Sequence, residues 1–279
     1  MIDMRPDLSS YSRIAYAREL HGDLEGAIEA MQDAVSAGGP ATENSAWVRV
    51  QLGNLYFTHG DLQRAEQEYQ RTLTVLPEYV FAQAGLGRVR AAQGQLDAAI
   101  DLYQSAIERM PLPEFVIALG EAQQAAGRDA EAARQYELVR AMQQLFKANG
   151  VDTDLELALF DADHPSAQAG EQDLASRVAL ARAAYARHPS VRAADTLAWT
   201  LFKAGQLDEA RRYADEALRL GTYDPLMLYH AGTIAQAQGD SAAARDFLGR
   251  ALARNPNFSP LYAPLARQAL ASLSTAASK

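Results

Sequence analysis

Residues 52–77 read LGNLYFTHGDLQRAEQEYQRTLTVLP, and this stretch decides the fold. Gly60 is free to take the φ > 0 conformation that ends one helix and turns the chain back into the next. Gly53 lies seven residues before it and Ala65 five after, so two small residues meet where the paired helices cross. A large side chain there would hold the helices apart, at roughly 1–3 kcal/mol for an overpacked site. Tyr69, nine after the turn, is spaced to fill the gap against an adjoining hairpin. Pro77 cannot continue a helix and so separates this hairpin from the next.

The same grammar recurs along the chain. Gly22, Gly60, Gly94, Gly127, Gly205 and Gly239 sit in HGDLEGA, HGDLQRA, QGQLDAA, AGRDAEA, AGQLDEA and QGDSAAA. Gly60 to Gly94 is 34 residues, Gly94 to Gly127 is 33 and Gly205 to Gly239 is 34. Five residues after each glycine stands Ala27, Ala65, Ala99, Ala132, Ala210 or Ala244. Seven before stands Ala15, Gly53, Gly87, Gly120, Ala198 or Gly232. Tyr103 and Tyr136 repeat the position of Tyr69, and Pro111 and Pro256 that of Pro77.

This pattern resembles the tetratricopeptide repeat (TPR) family, W-x2-L-G-x2-Y, then A-x3-F, then P. It is carried best by Leu52-Gly53, Tyr56, Gly60, Ala65, Tyr69 and Pro77, and next by Leu86-Gly87, Gly94, Ala99, Tyr103, Ala106 and Pro111. The resemblance implies an all-α fold, a right-handed α-solenoid of helical hairpins with a C-terminal capping helix, used as a binding scaffold and not as an enzyme. Four hairpins are expected over 1–145, an atypical one with an expanded acidic loop over 146–190, two more over 191–257, and a cap with tail over 258–279.

Two places break the period. Gly22 to Gly60 is 38 residues, with a lengthened loop over Ala37–Ser45 and Asn44 or Ser45 expected as N-cap. Gly127 to Gly205 is 78, where two plain repeats need 68. There a helix from about Asp129 runs past Phe146 and stops at Asn149-Gly150. Asp152 or Thr153 is expected to cap a new helix through Phe160, and a further helix covers about Glu171 to Arg187. Between them Pro165 to Gly170 is expected as a mobile polar loop. The run Ala148-Asn149-Gly150-Val151-Asp152-Thr153-Asp154-Leu155-Glu156, with Phe160-Asp161-Ala162-Asp163-His164, is similar to a group of bacterial TPR proteins without an assigned activity.

Composition narrows the function. The 279 residues are 48% hydrophobic and 22% charged, ordinary for a globular chain. The net charge of −9 and the lack of any basic run argue against nucleic acid as partner. Zero cysteines exclude thiolate chemistry and cysteine zinc sites. No segment approaches the ~18 apolar residues of a membrane span, and Met1–Pro6 carries no apolar leader core. A soluble chain is expected, cytoplasmic by default, exported if it is a piece of a longer precursor. No phosphate loop, His-x-x-x-His pair or nucleophile elbow occurs, so no cofactor or catalytic residue is assigned. The acidic stretch Asp152–Asp173, around His164, lacks the glycine and distal glutamate of a calcium loop. It reads as a solvated ridge with no metal. His21 and His59 share one position beside the turn glycine and are helix-end residues.

In TPR arrays the first helix of each hairpin lines the concave face. Residues thirteen, ten, six and three before the turn glycine should point there. This gives Tyr16; Trp47, Asn54 and Phe57; Phe81 and Arg88; Glu121 and Gln124; Asp195, Trp199 and Phe202; and Leu226, Tyr229 and Thr233. Trp199, Phe202 and Tyr229 are expected to cluster, partly exposed. A buried Trp199 would leave Trp47, Phe57 and Phe81 as the anchors. The Lys/Asn/Arg carboxylate clamp of chaperone-binding TPR proteins is missing: Asn54 is alone, and neighbouring rows offer Gly85, Glu114 and Ala118. The expected partner is a protein or peptide segment on the concave face. The alternative is a regulatory or substrate-docking part of a larger enzyme or secretion assembly.

Overall fold

The computed structural model describes residues 7–39, 42–151, 154–165 and 171–276, and among these it holds fifteen helices and no strand. The fold is all-α and built of helical hairpins, the repeating unit of an α-solenoid. The hairpins pair α1 (Leu8–Leu20) with α2 (Leu24–Ala37), α3 (Glu43–Thr58) with α4 (Leu62–Val75), and α5 (Val80–Ala92) with α6 (Leu96–Arg109). Then come α7 (Pro113–Ala125), the long α8 (Asp129–Ala148), α9 (Asp154–Asp163) and α10 (Glu171–Arg187). The pairs α11 (Val191–Lys203) with α12 (Leu207–Ala217) and α13 (Pro225–Ala237) with α14 (Ser241–Arg254) follow, and α15 (Tyr262–Ala276) closes the series.

The turns form for the reason the glycines suggest: all six sit at φ between 72° and 84°. In Gly22-Asp23 and Gly60-Asp61 the next residue also starts the second helix. The Asp23 carboxylate accepts from the Gly26 amide at 3.0 Å, and Asp61 accepts from that of Arg64 at 2.9 Å. At Gly94-Gln95 and Gly205-Gln206 the backbone takes nearly the same shape but no side chain caps it. The N-cap of α3 is Thr42, not Asn44 or Ser45. Its extended backbone stands just outside the helix, and its hydroxyl accepts from the Ser45 amide at 3.2 Å. The loop expected over Pro165 to Gly170, apart from Pro165 itself, and the caps expected at Asp152 or Thr153 lie outside the described residues.

The small residues of the motif make room for tyrosine rings rather than for touching backbones. A Cβ on Gly53 would lie 2.5 Å from the Tyr69 ring, and one on Gly85 would lie 2.6 Å from the same ring. Tyr69 from α4 therefore fills the space between α3 and α5, fully buried. Gly87 holds Tyr103 in the same way, and Gly232 holds Leu248.

Two compact units divide the chain. The first comprises Met1–Gln135 with Gly221–Tyr223 and Ala253–Ala263. Its core runs through Ala27, Met31, Val48, Leu52, Tyr56, Tyr69, Leu86 and Val89, then Ile100, Tyr103 and Leu119. Within this unit the buried Asn255 donates from Nδ2 to the Phe57 carbonyl at 2.7 Å, a second bond to an oxygen near the end of α3 that also accepts from the Gly60 amide at 2.9 Å. The second comprises Tyr136–Leu220, Asp224–Leu252 and Pro264–Lys279, with a core of Val178, Leu197, Leu201, Ala210, Ala214 and Ile234.

Candidate functional site

In the first unit, equivalent positions of α1, α3, α5 and α7 carry Tyr16, Asn54, Arg88 and Glu121. Tyr16 is 50% exposed, and Trp47, two turns earlier on α3 than Asn54, is 45% exposed. Phe81 on α5 is half-buried and meets Tyr79 and Phe115 at ring-centroid distances of 5.6 and 5.7 Å. Phe57 departs from expectation: it is buried as part of the unit's core, and the Arg88 guanidinium lies 4.2 Å over its ring.

Arg88 is the centre of this group. Its Nη2 donates to Asn54 Oδ1 at 2.6 Å and to the Tyr69 hydroxyl at 3.1 Å, while that hydroxyl donates to the same Asn54 oxygen at 2.7 Å. Asn54 in turn donates to Gln51 at 3.2 Å. The Arg88 Nε is buried without a hydrogen-bond partner among the described residues. Burial pushes the Tyr69 phenol above its usual range, and the neighbouring Arg88 charge offsets this only in part. Tyr103 is likewise pushed up by burial. Both phenols therefore stay neutral at neutral pH, and that of Tyr69 remains a donor to Asn54.

The second unit corrects a larger part of the sequence reading. Trp199, Phe202 and Tyr229 do come together, with Trp199 stacked on Phe202 at 4.9 Å and 5.9 Å from Tyr229. They are not an open groove: Trp199 is 2% exposed and Tyr229 5%. The inserted α9 packs on α11, and its last residue, Asp163, accepts from the indole Nε1 at 2.6 Å. Lys203 pairs with that carboxylate at 3.1 Å and lies 4.8 Å over the indole ring. On the other side His230 stacks at 4.1 Å. Asp195, expected on the surface, is buried too, and sits 3.0 Å from His230 Nδ1. The opposite ring nitrogen, Nε2, has no partner among the described residues.

Sequence reasoning missed His164. Its ring stacks on Tyr136 at 3.9 Å, its carbonyl accepts from Arg140 at 2.6 Å, and burial, aided by Arg140 and Lys203, lowers its pKa to about 4. Among the described residues no three His, Asp or Glu side chains gather as a metal site. No described helix is long and apolar enough to cross a membrane.

The tetratricopeptide repeat family model matches residues 50–112 and 196–260. These two segments are similar to tetratricopeptide repeats. A solved TPR protein from Parabacteroides merdae superposes with a TM-score of 0.51 at 15% identity, covering 96% of this chain and 98% of that one. One chain of the APC/C hetero-tetramer Cut9–Hcn1 aligns over 50% of its own length with 98% of this chain, at 17% identity and a TM-score of 0.48. No curated protein matches the chain. TPR units typically act as protein-interaction scaffolds, and the likeness to the Parabacteroides merdae protein concerns the fold alone.

Proposed function

We propose that the protein is a scaffold that holds a peptide segment of a partner protein along the first-helix face of its N-terminal unit. The observation that carries this is Trp47, an indole 45% exposed on α3, while Tyr56, Phe57, Tyr69, Tyr103 and Phe115 of the same unit are buried. A large exposed aromatic beside polar side chains is the usual make-up of an interface anchor. Tyr16, the half-buried Phe81, Asn54, Arg88 and Glu121 extend the face over the successive first helices. Trp199, Tyr229, Phe57 and Asp195 serve packing in this reading and make no direct contact with the partner.

The test is affinity capture with the whole chain as bait, followed by direct binding of the captured partner to Trp47→Ala. Loss of the anchor should weaken binding by about 2 kcal/mol or more, some thirtyfold. Thermal stability should change little, because a half-exposed ring gives up only part of its burial. A partner held equally well by Trp47→Ala and by the Trp47→Ala/Phe81→Ala double variant would sink the proposal.

A further inference from the structure

The environment of Arg88 is incomplete as it stands. Arg49, Arg90, Arg140, Arg177 and Arg211 each expose no more than 30% of their side chains, and each has a carboxylate within 3.4 Å. A cation taken partly out of water needs such a counter-charge, or the lost hydration goes uncompensated. Arg88 is also half-buried, yet it forms no ion pair with any described residue. Its protein acceptors are the neutral oxygens of Asn54 and Tyr69, both taken by Nη2. Nothing among the described residues accepts from Nη1, and Nε is buried without a partner. Beneath it lies the Phe57 ring, which fixes the plane of the guanidinium but supplies no acceptor. The fork is thus rigidly presented, with donors left over.

Resting on the scaffold reading above, we propose that Arg88 is the docking point for an acidic side chain of the bound segment. The partner is therefore an acidic-aliphatic or acidic-aromatic peptide, its carboxylate on Arg88 and its apolar residues against Trp47 and Phe81. A carboxylate fits because a charge-assisted bond to a preorganised guanidinium is about twice as strong as a neutral one. Asn54 holds the guanidinium in place and is a positioning residue.

A phage library of random dodecapeptides, fused at their C-termini so that their carboxylates are side chains alone, tests this against the whole protein. Selected peptides should share an Asp or Glu at one fixed position. Its exchange for Asn or Gln should weaken binding at least tenfold. Two variants should erase that preference: Arg88→Gln, which removes the cation, and Asn54→Asp, which supplies an internal carboxylate where the amide oxygen already sits 2.6 Å from Nη2. The second variant keeps the side-chain shape, so its circular dichroism and melting should match the native chain. Peptides that depend on Trp47 but show no acidic position, or keep the acid preference against Asn54→Asp, overturn the carboxylate site and leave the scaffold reading standing. Failure to select any Trp47-dependent peptide overturns both.

Discussion

The two tryptophans occupy unlike environments although both stand on first helices. Trp47 is 45% exposed and Trp199 2% exposed, so their roles separate by measurement. Trp199→Ala should cost about 3–5 kcal/mol of stability, because it empties a site filled by stacked rings and strands the Asp163 carboxylate with Lys203 alone. Trp199→Phe should lie well below that range, since it keeps most of the ring volume and loses the indole hydrogen bond. Fluorescence gives an independent check: in Trp47→Phe the remaining emission should be blue-shifted and resist acrylamide quenching, and in Trp199→Phe the reverse. Equal quenching of the two single-tryptophan proteins would contradict the burial described. Register alone could not have separated these residues. Trp199 is covered because α9, which an ordinary repeat lacks, lays Asp163 against it, and that contact joins residues 36 apart across an irregular stretch.

At the scale of helices, the turn dipeptides make a natural substitution series. Asp23 and Asp61 cap α2 and α4 with backbone angles of φ −83°, ψ 71° and φ −85°, ψ 78°. Gln95 holds φ −87°, ψ 63° at the same place before α6 and offers no capping bond. Gln95→Asp therefore introduces an N-cap into a backbone already shaped for it, and adds a negative charge where the helix dipole favours one. Chemical denaturation should show a gain of about 1 kcal/mol, with the denaturant slope unchanged. No gain would mean that the acceptor cannot reach the Ala98 amide. The helices themselves were legible for a related reason. Turn glycine and crossing alanine act within one hairpin, and the spacing tyrosine reaches no further than the next, so a short window holds their whole physical cause. Thr42 was misjudged because a lengthened loop blurs where helix begins, and Asn255 was missed because its acceptor, the Phe57 carbonyl, is 198 residues away.

For the whole molecule, the pH dependence of stability should begin with a histidine and not with the many carboxylates behind the net charge of −9. His164 has a folded-state pKa of about 4 against an ordinary 6.5. Between these values the unfolded chain binds a proton that the folded chain refuses, so stability falls as pH drops through that window. The full difference corresponds to about 3 kcal/mol, and partial solvent screening of the ring brings the expected loss to about 1–2 kcal/mol. Glu66 and Glu209, held below the usual carboxylate range by hydrogen bonds from Arg90 and Arg182, have the same sign. Their contributions are present above about 4.5 and are lost only below it, so they leave the range from 6.5 to 5 to the histidine. Asp161, pushed up by burial, takes its proton more readily when folded and works in the opposite direction. The comparison that isolates His164 is denaturation of native protein and of His164→Phe across this range, since phenylalanine keeps a ring against Tyr136 and cannot titrate. The native curve should decline from pH 6.5 to 5 and the variant curve should be flatter. Parallel curves would show that the buried imidazole is not the group responsible.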